Sequence, residues 1–162
     1  MKIDIKMLLP NDLSLFAGYR LVRVGTAIFL CVSVVRSAIH LFSSDGGANQ
    51  IAGIDISVAG GDNIVAIFHQ WGATQLLLAF FLTFLFIRYP GMTPLTLLIL
   101  AMDPVMRFVA GQMKSVTTDG PPPGESLNGP VFAFLIVLFA ASLIKKKLNE
   151  PRGWLRGDKG HV

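Results

Sequence analysis

The sequence predicts an all-α integral membrane protein: a four-helix transmembrane bundle of up-down topology with both termini in the cytoplasm. Three observations carry this reading. Of 162 residues, 52% are hydrophobic and only 15% are charged, against about 25% charged in an ordinary soluble domain. The apolar residues gather into four runs, at 21–42, 63–87, 94–113 and 130–144, near the ~20 residues a helix needs to cross hydrocarbon. The basic residues collect on one side of that arrangement. Disorder and an ordinary water-soluble domain are excluded by the same composition. The single cysteine, Cys31, excludes a disulfide scaffold and reads as a small buried hydrophobe inside the first span.

Taken in order, residues 1–20 form a cytoplasmic or interfacial lead-in. Within it Pro10-Asn11-Asp12 reads as the start of a short amphipathic helix with Leu13, Leu15 and Phe16 on one side, an anchor in the interface. The first span begins too late and carries Arg36 too near its end for a cleaved signal peptide. Ser43-Ser44-Asp45-Gly46-Gly47 stops it, and Gly60-Gly61-Asp62-Asn63 precedes the second span, with Asp62 or Asn63 as cap. Between them Ile51, Ile54, Ile56 and Val58 partly alternate, as a short hairpin or a lid on the membrane surface would. Tyr89-Pro90-Gly91 turns the chain into the third span, and Gly120-Pro121-Pro122-Pro123-Gly124 is a stiff connector before the fourth. The four spans make a transmembrane domain over 21–144. Small residues at Gly25, Ala27, Gly72, Ala73 and Gly111 predict close helix contacts. A basic tail over 145–162, with Lys145, Lys146, Lys147 and Trp154, is suited to snorkelling and to lipid headgroups.

Eleven of the fourteen basic residues precede or open the first span, lie between the second and third, or follow the fourth; Lys114 alone lies on the other side, beside Asp45, Asp55, Asp62, Asp119 and Glu125. The positive-inside rule therefore places both termini in the cytoplasm, as an even number of spans requires. The expected location is a bacterial inner (plasma) membrane. The expected partners are membrane lipids and either a protein of a larger membrane complex or further copies of the chain. The short tail offers no folded basic domain, so no nucleic acid is expected.

Ionisable groups inside spans are costly unless paired or hydrated, which makes their positions informative. Arg36 and His40 are four apart in the first span, and so are Asp103 and Arg107 in the third; His69 and Gln70 lie early in the second. Residues four apart share a helix face. At about 1.5 Å per residue, all six fall in the outer half of the bilayer, with Asp103 near the midplane. They predict an outward-facing polar pocket lined by Arg36, His40, His69, Gln70, Asp103 and Arg107. Two arginines against one aspartate favour a lipid-like or anionic small molecule. Pro104 adds a free acceptor by removing the bond to the carbonyl of Leu100.

Two other readings stay open. In one the polar residues are interhelical glue in an accessory subunit of a larger complex. In the other the chain is a membrane enzyme acting on a lipid-like substrate, with His69 and Asp103 as the proton-handling pair. His40 and His69 are the minimum set for a b-type haem, but their depths differ by about 8 Å at 1.5 Å per residue. No cofactor is predicted. The sequence contains no GxxxxGK[ST], HExxH or CxxC pattern, and its scattered loop acids predict no metal site.

Arg20-x-x-Arg23-x-Gly25 opening the first span, Gly72-Ala73-Thr74-Gln75-Leu76 in the second and the short turn Arg88-Tyr89-Pro90-Gly91 resemble, in their order, the DoxX-like family of small four-helix membrane proteins. The resemblance covers nearly the whole chain and implies a four-helix membrane fold. Where that family often has a glutamate and then glycines, this chain has Gln75 and then Leu77-Leu78-Ala79. Any oxidoreductase-linked role the family implies loses support at that departure. Four-helix membrane bundles that isomerise sterols are similar in architecture, an analogy of fold and not of function.

Overall fold

A computed structural model describes residues 3–118, 120 and 122–146. Among them the secondary structure is helical, with one isolated antiparallel bridge, Ile3 to Ile144, in place of any strand. The long helices are α1 (Arg20–Phe42), α2 (Gly61–Arg88) and α3 (Thr93–Met113); a one-turn α4 (Pro123–Ser126) leads into α5 (Asn128–Ser142). Helices α1 and α2, and the run Pro90–Met113, are each long and apolar enough to cross a membrane. Only 22%, 22% and 33% of their apolar windows is buried inside the molecule. Leu21, Val24, Ile28, Val32, Val35, Ile39 and Phe42 form an exposed stripe along α1, spaced by three or four residues. An apolar surface of that extent is stable against lipid and not against water. This is the pattern of a multi-pass membrane protein.

Cys31 shares that stripe and is exposed, not buried as its apolar setting predicts, because it lies one turn from both Ile28 and Val35. The start of α2 also differs from expectation. Gly60, at φ 88°, precedes the helix, and no side chain caps it; Asp62 sits in the first turn instead, where a carboxylate favours the helix dipole.

Helix α1 packs chiefly on α2, and α3 on α5. The two pairs share a core of Val22, Leu30, Leu82, Phe86, Leu97, Leu100, Ala101 and Leu135. That core lies toward one end of the bundle, where Arg20, Arg23, Arg88 and Lys145 gather, called here the basic end. The α1–α2 contact is closest at Gly72. A Cβ there would lie 2.6 Å from the Leu41 nitrogen and 2.7 Å from the His40 carbonyl carbon, so only glycine lets the two backbones meet. Gly25 admits Leu138 of α5 in the same way. Ala73 is exposed and Gly111 has nothing within 4 Å, so these two do not mark contacts as their size predicts.

Helix α5, at 15 residues, rises about 22 Å at 1.5 Å per residue, less than a bilayer core. Its length is set at both ends. Asn128 donates to the carbonyl of Pro104, 2.8 Å away, so α5 starts at the level of mid-α3. At its other end Leu143 leaves the helix and accepts from the Asp4 N–H at 2.9 Å. The C-terminal end of α3 therefore stands uncovered by the described residues, with Met106, Phe108, Val109 and Met113 exposed.

The lead-in segment is not the amphipathic helix that Pro10-Asn11-Asp12 predicts. Asp12 accepts from the N–H and hydroxyl of Ser14, an Asx turn that competes with helix formation. Among its described residues the only helical piece is a 3-10 turn at Ile5–Met7. The segment instead straps the basic end. Gly91 N–H donates to Leu13 and Lys146 N–H to Ala17, each at 2.9 Å, while Lys145 pairs with Asp4 at 2.6 Å. Lys145, and then the Lys6 N–H, hold the Asp4 carboxyl below its ordinary range.

The loop between α1 and α2 is built from turns, not a hairpin. Its anchor is Asp45, a buried carboxylate that accepts from the N–H groups of Gly47, Asn49 and Gln50 at 2.8–3.0 Å. Those bonds, the Gln50 one foremost, hold it below the usual carboxylate range. Ile54 is buried beneath the loop.

Candidate functional site

The six residues singled out from the sequence divide into two groups. His40 and His69 hold the last turn of α1, where helix carbonyls lack partners. The Nδ1 of His69 lies 2.8 Å from the Leu41 carbonyl, and that of His40 lies 2.8 Å from the Gly46 carbonyl. A carbonyl only accepts, so both Nδ1 atoms carry the proton. The His40 ring is 6% exposed and packs against Trp71, centroids 4.7 Å apart, and against Phe68. Gln70 lies exposed on α2. Among the described residues no hydrogen bond or ion pair joins His69 to Asp103.

Arg36, Asp103 and Arg107 form the other group. Arg36 donates from Nη2 to Oε1 of Gln75 at 2.6 Å, and its guanidinium sits 5.3 Å above the Trp71 ring. From α3, Arg107 Nε lies 3.2 Å from Asp103 Oδ2, with the two side chains 26% and 41% exposed. That contact is an ion pair without hydrogen-bond alignment, since Arg107 Nε is buried and has no hydrogen-bond partner. A long 3.5 Å contact to the Gly124 carbonyl brings the connector against the same guanidinium. Arg36 is close enough for the charges of Arg107 and Asp103 to act on it. Arg36 on α1 and the Asp103–Arg107 pair on α3 thus act on one another through charge, while among the described residues no hydrogen bond or ion pair joins them.

A guanidinium has five N–H donors. The protein satisfies few of them on Arg36 and Arg107, so both retain donors for an anion. Beside Arg36 an open apolar groove of about 370 Å³ is lined by Cys31, Val32, Val35 and Ile39. An aliphatic groove bordered by an arginine suits an amphiphile with an anionic head.

Trp71 and Gln75 belong to this arrangement, and sequence reading missed Trp71. The signal was present: both stand on one face of α2, four residues apart, at the level of Arg36. The carbonyl that Pro104 frees on Leu100 was expected as the local acceptor, whereas Asn128 bonds the carbonyl of Pro104 itself. Among the described residues no cluster of three or more histidine, cysteine or acidic side chains could hold a metal ion. Compared with protein-family models, with curated proteins and with solved structures, the chain gives no match.

Proposed function

We propose that this chain is a multi-pass membrane protein that binds a lipid-like or anionic small molecule between α1 and α3, with Arg36 and Arg107 as the anion-binding groups. In this reading α5 is a fourth, short span, the basic end faces the cytoplasm and the site faces outward. The observation that carries the proposal is the surplus of positive charge. Arg107 pairs with Asp103, the charge of the same carboxylate is the acidic one that acts on Arg36, and Arg107 Nε is buried without a hydrogen bond. An excess cation within an apolar span is costly alone and is balanced by an anionic guest. His40 and His69 act as architecture around the site, and Gln75 and Trp71 orient Arg36.

Trp71 supplies the test. With Trp154→Phe, Trp71 is the sole tryptophan of the chain. Titrating the detergent-solubilised protein with dodecyl phosphate should quench or shift Trp71 fluorescence with saturation, and Arg107→Ala should weaken binding at least about tenfold, the loss expected for a charge-assisted hydrogen bond of 1.5–3 kcal/mol. Dodecyl maltoside giving the same response, or Arg107→Ala leaving it unchanged, would refute the proposal.

The uncovered end of α3 favours a second reading, an accessory subunit of a larger complex. Met106, Phe108, Val109 and Met113 are exposed there and Gly111 is free of contacts, the small-residue and methionine surface that a neighbouring helix can use. On that reading the chain purifies with a stoichiometric partner and loses stability without it.

A further inference from the structure

A second cavity, more enclosed than the groove beside Arg36, lies at the opposite end of the molecule from the Arg36–Arg107 site. It has a volume of about 320 Å³ and is walled by Lys6, Asn11, Leu15, Phe16, Gly91 and Lys145, among others. That is the lower end of the size range of small-ligand pockets. Its walls come from three parts of the chain: the lead-in segment, the turn before α3 and the exit from α5. Each joint is fixed. The Gly91 N–H bonds Leu13, the Asp4 N–H bonds Leu143, and the Lys146 N–H bonds Ala17. A Cβ on Gly91 would lie 2.9 Å from the Asp12 carbonyl oxygen and 3.0 Å from the Leu13 Cα, so glycine is what lets the segment lie so close.

The lining is chemically two-sided. Lys6 and Lys145 bring two ammonium groups and Asn11 an amide, and among the described residues no acidic side chain lines the cavity. Lys145 is paired with Asp4, which among the described residues leaves Lys6 as the lining cation without an ion pair. The other walls are apolar, and Leu9 and Leu15 stay 63% and 68% exposed at the rim. Arg20 and Arg88 lie at the same end of the bundle. The three candidate spans put this end at a bilayer interface, where anionic phosphates and the first methylenes of lipid chains sit at adjoining depths. We infer that this cavity holds the headgroup of an anionic phospholipid, its phosphate between Lys6 and Lys145 and its acyl chains leaving past Leu9 and Leu15. The site is separate from the one at Arg36 and Arg107, and each can fail without the other.

Full-length protein in mixed micelles with equal phosphatidylglycerol and phosphatidylcholine, read by native mass spectrometry, tests this. Phosphatidylglycerol adducts should dominate. Lys6→Gln should lower their occupancy constant about fivefold and Lys6→Glu about 25-fold, since each unit of interfacial charge is worth about 1 kcal/mol. Lys146→Glu makes the same charge change outside the cavity and should have the smaller effect. Leu15→Ser should weaken the lipid adduct without removing the preference for the anionic head, and Arg107→Ala should leave it intact. Equal retention of the two lipids, equal losses in Lys6→Glu and Lys146→Glu, or displacement of the lipid by millimolar inorganic phosphate would overturn the inference; the last would make the cavity a free-anion site. Circular dichroism of each variant separates lost binding from lost fold, and Lys6→Gln stands in if Lys6→Glu does not fold.

Discussion

At the same level of the bundle, the α1–α2 pair and the outer part of α3 treat their polar residues in opposite ways. On α1 and α2, His40 and His69 are each spent on a backbone carbonyl at 2.8 Å, and Gly72 lets the two backbones touch. On α3, Asp103 and Arg107 have mainly each other, partly exposed, beside a helix end that none of the described residues covers. The residue types would have suggested one function for all of them. Their bonding separates those that hold the fold from those with donors to spare; Arg36 is tied to Gln75 of α2 and feels the charges of Asp103 and Arg107.

That comparison can be broken most forcibly at Gly72. Gly72→Val puts side-chain atoms where the α1 backbone lies and should cost about 3 kcal/mol, the upper end for overpacking a close interface. Thermal unfolding in detergent reads this loss, and an unchanged melting temperature would mean that α1 and α2 do not meet there. His69→Ala should cost less, about 1–2 kcal/mol for leaving the Leu41 carbonyl without its donor, and should leave dodecyl phosphate binding unchanged. If it abolishes binding while stability holds, the histidine belongs to the site.

Acid should act on the loop anchored by Asp45. Hydrogen bonds from Gln50, Gly47 and Asn49 depress its folded pKa. Its contribution to stability is therefore complete above the ordinary carboxylate value of about 3.9 and is lost as pH falls through the lower folded value. A plot of melting temperature against pH should drop in that acid range, and Asp45→Asn should flatten the drop. The smallest effect is expected at the other end of the comparison. Gly111→Leu meets no neighbour within 4 Å and should shift the melting temperature by less than about 0.5 kcal/mol equivalent. A large loss would show that another chain covers α3, which favours the accessory-subunit reading.

Much of the helical layout could be read from residue order alone. The expected runs 21–42, 63–87 and 94–113 differ by one or two residues at most from Arg20–Phe42, Gly61–Arg88 and Thr93–Met113. Apolar runs bounded by Gly, Pro and Asp clusters have little freedom in where they start and stop. The lead-in segment was not legible, because its partners are carbonyls and N–H groups at Leu13, Ala17, Gly91, Leu143 and Lys146 that only the fold brings together. The histidines were legible as polar residues at the right depth. Their partners were not, since a backbone carbonyl leaves no mark in sequence. Arg36, Asp103 and Arg107 could be grouped because charge in an apolar run is rare enough to demand company.

The central claim is that Arg36 and Arg107 hold an anionic guest, and the most direct measurement is native mass spectrometry of the chain extracted from its own membrane in mild detergent. Apart from any lipid lost in Lys6→Glu, the account predicts a bound anionic molecule of defined mass on the wild-type chain that is absent from Arg107→Ala and Arg36→Ala and retained in Lys6→Glu. The same adduct on all four proteins, or a stoichiometric second polypeptide with no small molecule, would contradict it.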